Sequence, residues 1–193
     1  MANPTEQHPL KPFLPINARV LMLGSFPPKR NRWSMEFFYP NWINDMWRIV
    51  GYLFFGNKHH FEIKGEKRFD KERIIDFCTA KGIALYDAAT AVRRLKDNAS
   101  DKFLEVATPT DIQALLKALP TCQAIVVTGE KAAEIVAAQF GCSIPSVGTF
   151  TSLRAGARTL QFWRMPSSSR AYPLTLEKKA EFYRKVYTAV GIF

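Results

Sequence analysis

Cysteine is scarce in this chain, with three residues, Cys78, Cys122 and Cys142, among 193. None belongs to a C-x-x-C pair, and three thiolates cannot complete the four-thiolate set of an iron–sulfur cluster. An odd, scattered set in apolar surroundings reads as reduced, buried thiols of a cytosolic protein. Histidine is equally scarce. His59 and His60 are adjacent rather than a helical turn apart, and His8 stands in a polar leader, so no zinc constellation forms. No apolar run is long enough to span a membrane. Residues 1–17 are polar and Pro-rich, so no signal peptide is expected. Internal repeats and low-complexity tracts are missing too.

Negative charge is also in short supply. Lys and Arg number 27 against 17 acids, for a net charge of +10. Such a balance favours a polyanionic partner, most simply nucleic acid; a basic protein with no such partner is the alternative. The bases gather in four groups: Lys29, Arg30 and Arg32; Lys58 through Arg68; Arg93, Arg94 and Lys96; and Arg154 through Arg170. The length suits one domain with a real core, over 18–193, behind a leader at 1–17. A monomer is the default at this size.

Strand and helix patterns alternate along the chain. "ARVLMLGSFPP" (18–28), "GIALYDA" (82–88), "CQAIVVTG" (122–129) and "TLQFWRMPS" (159–167) read as strands. Helices are expected from Met46 to a stop at Gly56, over 70–80 with a break at Gly82, and over 108–119 from Thr110 or Pro109. Two more are expected over 130–140, closed by Gly141, and over 175–190, capped by Thr175. Residues 57–68 read as a basic loop and 93–109 as a polar, charged stretch. The alternation argues for a parallel sheet covered on both faces. In such sheets ligands bind at the carboxyl ends of the strands. Those ends carry "GSFPP", "YDAA", "TGEK" and "MPSSSR".

Gly24 and Ser25 permit a tight turn and close approach of backbone to a ligand. The segment "FFYPNWINDMW" (37–47) crowds rings and amides just before a helix. Phe37, Phe38 and Tyr39 pack on the core, or one of them stacks on a planar base. Asn44 either caps the helix or aims its amide oxygen into a pocket to hold a water. Asp45 is the other candidate, with favourable interaction with the helix dipole as its plainer role. Asp87 either caps a helix beginning in "AATAVRR" or accepts an N–H from the edge of a base. An ionised carboxylate suits a ring N–H beside carbonyl groups, the pattern of uracil and hypoxanthine. Ser167, Ser168, Ser169 and Arg170 form a phosphate-gripping loop or a plain surface turn.

The ordered set "LGSFPP", aromatic pair, "NDMWRIVG", "GIALYDAA", "VVTGEKA" and "MPSSSR" resembles the uracil-DNA glycosylase superfamily, most closely its hypoxanthine-type branch. The resemblance spans roughly residues 18–187. It implies a three-layer α/β/α sandwich around a short, mostly parallel four-stranded sheet. It implies an enzyme of base excision repair that flips a deaminated base from DNA and hydrolyses its N-glycosidic bond, with no cofactor and no metal. By position it assigns the working amide to Asn44 and the stacking ring to Tyr39 or Phe38. Base-edge recognition falls to Asp87, and the base contacts include Gly24, Ser25 and Phe26. Lys29, Arg30, Ser167, Ser168, Ser169 and Arg170 would meet DNA. The location implied is cytoplasmic, at the nucleoid.

The chain departs from relatives at Phe26, where many carry a catalytic Asp or Asn, and at Pro28 and Met165. The rival expectation is a weak or inactive nucleic-acid-binding protein of the same fold. A nucleoside-processing enzyme is a further one, and it would bind with little dependence on salt.

Overall fold

The computed structural model describes residues 4–95 and 103–193. Lys96, one of the expected basic group, lies outside the described residues. Four strands run parallel: β2 (Val20–Gly24), β3 (Ile83–Asp87), β6 (Ala124–Val127) and β8 (Arg158–Arg164). These are the four expected from sequence, but the sheet has a fifth member. β7 (Thr149–Ala155) pairs antiparallel with β8 at one edge, giving the order β3-β2-β6-β8-β7. β7 leaves no apolar run in the sequence because it is mostly solvated, with Leu153 its one buried side chain.

A second sheet was not expected at all. β1 (Thr5–Gln7), β4 (Ala89–Arg94) and β5 (Leu104–Pro109) pair antiparallel in the order β1-β4-β5. Residues 89–94 are therefore a strand and not the helix that Asp87 was to cap. The β-branched Thr90 and Val92 suit a pleated surface, and partners from the leader and from 104–109 supply the ladder.

β2, β3 and β6 are buried at every position, so both faces of the sheet centre are covered. α2 (Lys71–Lys81) packs on β3, α4 (Glu130–Phe140) on β6 and β7, and α1 (Met46–Phe55) against α5 (Leu176–Ala189). α1, α2 and α4 each end on a left-handed glycine, Gly56, Gly82 and Gly141, where a side chain would be strained. Thr175 caps α5 by accepting from Lys178 N–H. The short α3 (Ile112–Lys117) is capped by Asp111, not by Thr110 or Pro109. The Thr110 hydroxyl instead donates to the Asp87 carbonyl, 2.7 Å away.

The leader is not a loose end. Phe13 exchanges both backbone hydrogen bonds with Leu85, at 3.0 and 2.9 Å, and so covers part of the otherwise open edge of β3. Tyr183 and Tyr187 lie fully buried on α5, where burial raises both phenols above their usual range. Each hydroxyl has a partner: Tyr183 donates to the Pro166 carbonyl and Tyr187 to the Met22 sulfur. The Tyr183 bond anchors the chain as it leaves β8.

Candidate active site

The carboxyl ends of the four parallel strands open on one cavity of about 640 Å3. Gly24, Ser25 and Phe26 line it from β2, Asp87 from β3, Thr128 and Gly129 from β6, and Ser167 to Ser169 from β8. Phe38, Tyr39 and Asn44 close it from the segment ahead of α1. Its size falls within the roughly 300–1,000 Å3 of ordinary ligand clefts. Expected site residues from well-separated parts of the chain thus meet in one place.

Asn44 faces this cavity, half-buried, and its Oδ1 accepts the Met46 backbone N–H at 2.9 Å. That bond satisfies one of the orphan donors of α1. The N-cap position itself belongs to Asp45, not Asn44. A carboxamide oxygen has a second lone pair, so the Met46 bond does not use up the accepting capacity of Asn44. Asp45 is more deeply held. Its Oδ1 receives Arg48 Nη1 at 3.3 Å and Arg170 Nη2 at 3.0 Å, and its backbone N–H donates to the Ser168 carbonyl. Asp45 is therefore a structural anchor beneath the site and does not line the cavity.

The serine loop is stitched to this same segment. Asn44 and Ser169 form an antiparallel bridge, and Arg170 N–H donates to the Ile43 carbonyl at 3.3 Å. Lys179, buried on α5, donates its ammonium to the Ser169 carbonyl at 2.7 Å. Burial pulls the Lys179 ammonium below its usual range; the Asp45 charge opposes this and the Arg170 charge adds to it.

The rings divide by role. Phe37 and Phe38 are core residues, and Phe38, which also lines the cavity, sits among Phe37, Tyr86 and His8. Tyr39 is half-buried, lies edge-on to Trp47, and holds φ at 51°, a left-handed value uncommon for a residue with a side chain. Its hydroxyl is 3.4 Å from Thr128 Oγ1. Phe26 packs edge-on against His8 with the Arg94 guanidinium 5.6 Å from its ring centre.

Asp87 is buried, and its two oxygens have different neighbours. His8 Nε2 lies 2.8 Å from Oδ2. Oδ1 borders the space above Gly24: a Cβ placed there would lie 2.3 Å from Oδ1 and 3.9 Å from the Tyr39 hydroxyl. Glycine at 24 is thus required by the close approach of Asp87. Gly24→Ala is expected to push the carboxylate out of place and to weaken any ligand that Asp87 holds at least about tenfold, the cost of one good hydrogen bond. Affinity for duplexes holding a modified base, measured beside a melting curve, checks this; an unchanged affinity would show that Asp87 lines the cavity without contacting the ligand.

Some expected residues are not gathered here. Lys29 and Arg30 are exposed outside the cavity wall. Arg30 pairs with Glu36, stacks 4.6 Å over Trp33 and lines a separate surface cleft. Arg32, from the same basic group, does reach the cavity wall. Arg170 is half-exposed but tied to Asp45. His8, Leu10 and Thr128 belong to or support the site; Thr128 opens the expected strand end "TGEK", while nothing in the sequence reading pointed to His8 or Leu10. For His8 and Leu10 the one available signal was a polar leader that also carries apolar residues at 10, 13 and 14.

Neither the known family profiles nor the curated proteins include a match to this chain. Among solved structures it is similar to a protein of Methanosarcina acetivorans, determined by solution NMR and provisionally named a uracil DNA glycosylase. The match has 21% identity and a TM-score of 0.63, covering 94% of this chain and 98% of that one. At that identity the likeness speaks to architecture: the chain has a uracil-DNA-glycosylase-like α/β fold.

Proposed function

We propose that this protein is a monofunctional DNA glycosylase that draws a deaminated base, uracil or hypoxanthine, out of the duplex and hydrolyses its N-glycosidic bond. The observation that carries this reading is the single cavity where Gly24, Asp87, Tyr39, Asn44 and the serine loop converge. Breaking a deoxyribosyl C–N bond builds positive charge on the sugar and negative charge on the base. A site for it needs a placed water and preorganised donors, with no strong nucleophile.

In this reading the second lone pair of Asn44 Oδ1 orients the water. Backbone N–H groups at the Gly24–Ser25 turn meet the base carbonyl, Tyr39 stacks on the ring, and Asp87 Oδ1 accepts the ring N–H. Ser167 to Ser169 hold phosphate, while Lys29, Arg30 and Arg32 meet the duplex at the rim. Arg170 supports the loop through Asp45. Base extrusion costs a few kcal/mol and least at a mismatch, which adds selectivity. The protein acts as a monomer on cytoplasmic, nucleoid DNA.

A panel of duplexes holding uracil, hypoxanthine, xanthine or mismatched thymine tests the proposal. Cleavage of uracil or hypoxanthine is expected, with DNA affinity falling steeply as salt rises. If the protein binds DNA and cuts none of the panel, it is an inactive binding member of the fold. Turnover of free nucleosides with little salt effect would point to a nucleoside-processing enzyme instead. Asp87→Asn presents an amide where a carboxylate stood, so it is expected to shift the uracil-to-hypoxanthine rate ratio and lower both rates by about tenfold or more. Single-turnover rates on the two duplexes read this directly.

A further inference from the structure

His8 stands 79 residues from Asp87 in sequence, yet its Nε2 lies 2.8 Å from Asp87 Oδ2. The histidine side chain is 2% exposed and the aspartate side chain 11%. The pair is held from several sides. Ahead of His8, β1 pairs with β4, and Glu6 takes the Arg94 guanidinium at 2.9 and 3.0 Å. The same guanidinium donates to the Pro27 carbonyl at 2.6 Å, tying the leader to the loop after Gly24. Beyond His8, Phe13 is bridged to Leu85 on β3. The imidazole packs against Tyr86 and Phe26, with ring centres 4.6 and 5.3 Å away.

We infer that His8 is a specificity-determining residue that acts through Asp87, and that the leader is thereby part of the base-recognition apparatus. This rests on the glycosylase reading of the cavity. His8 is not among the residues that line the cavity, and Asp87 is, so His8 is a positioning residue.

The hydrogen bonds state how it works. Leu10 N–H lies 3.1 Å from Nδ1 and donates to it in the neutral ring, which puts the ring proton on Nε2. Nε2–H then donates to Oδ2. In the imidazolium Nδ1–H donates to the Leu10 carbonyl, 2.9 Å away, and Nε2–H keeps the same partner. Either way Oδ2 is occupied and the carboxylate plane is set, with Oδ1 held over Gly24, and both residues line the cavity. An oxygen fixed there accepts from a base with a ring N–H, such as uracil or hypoxanthine. It repels the ring lone pair of cytosine or adenine. A carboxylate freed from His8 could rotate and lose that discrimination.

The test compares His8→Phe, which keeps a flat ring without a donor, with His8→Gln, whose amide N–H can replace Nε2–H. The readout is equilibrium affinity for a duplex holding a non-cleavable 2′-fluoro-deoxyuridine, divided by affinity for the same duplex with cytosine. His8→Phe is expected to lower this ratio about tenfold and His8→Gln to hold it within about threefold of the parent protein, a one-hydrogen-bond effect. In an Asp87→Asn background, His8→Phe is expected to add little, because coupled residues are not additive. A folded His8→Phe with an unchanged ratio overturns the inference. So does a His8→Gln as impaired as His8→Phe. Should His8→Phe fail to fold, His8→Ala takes its place under the same criteria. A parent protein that neither cleaves nor prefers any deaminated base defeats the glycosylase reading itself, and the role of His8 with it.

Discussion

Asn44→Ala is expected to lower single-turnover cleavage by about 10²–10³-fold, the loss typical when one polar group that places a reactant is removed. DNA affinity should stay within a few-fold, because the phosphate contacts assigned above lie elsewhere. The substitution also removes the Oδ1 bond to Met46 N–H at the head of α1. Losing such a bond costs about 1 kcal/mol, or roughly 2–4 °C in Tm for a chain of this size. A fall in rate alone would therefore be ambiguous. Asn44→Asp separates the two roles. Its carboxylate still accepts from Met46 N–H, so Tm should hold, while the water now meets a charge in place of an amide and the rate should change. Rates and melting curves on both variants decide the matter. If Asn44→Ala cuts as fast as the parent, Asn44 only braces the head of α1, where Asp45 holds the N-cap position.

The second large effect concerns stability. Asp45 and Arg48 are 7% and 6% exposed, and they form a buried pair at the base of α1. Arg48 also meets Glu62 at 2.6 Å and lies over the ring of Trp42. Asp45→Ala leaves Arg48 short of one counter-charge in a place water reaches poorly. Removing one partner of a buried pair costs about 3 kcal/mol, which lowers Tm by roughly 6–12 °C. The half-exposed Arg170 contributes little to that figure, since solvent screens it. Its release should instead loosen the serine loop and weaken DNA binding. Asp45→Asn keeps an acceptor and is expected to lose about half as much. Thermal melts with salt-dependent DNA affinities measure both effects. A Tm unchanged within about 2 °C would show that Glu62 alone satisfies Arg48.

Much of the framework is legible in the sequence. The four parallel strands are short apolar runs because they are buried on both faces, and that leaves a dense local signal. The helix stops at Gly56, Gly82 and Gly141 are local as well, since each needs a left-handed residue that few side chains tolerate. Elements that depend on distant partners were not legible. β7 and β5 are largely solvated, and β4 gains its ladder only when the leader and residues 104–109 lie beside it.

The candidate site divides along the same line. Strand-end chemistry at Gly24, Asp87 and Ser167 to Ser169 is visible in sequence because a parallel sheet brings its carboxyl ends to one edge. What each residue does there is a matter of contacts across the fold. Tertiary structure put the Phe38 ring into the core, bound Arg170 to Asp45, turned Arg30 toward Glu36 and delivered His8 to Asp87. Sequence alone thus determined the periodicities, breaks and charge that name the architecture and its open edge. Only the folded chain decided which side chains face that cavity and which hold the others in place. Hydrogen-bond and ion-pair partners are chosen by proximity in space, and no local pattern encodes a neighbour 79 or 125 residues away.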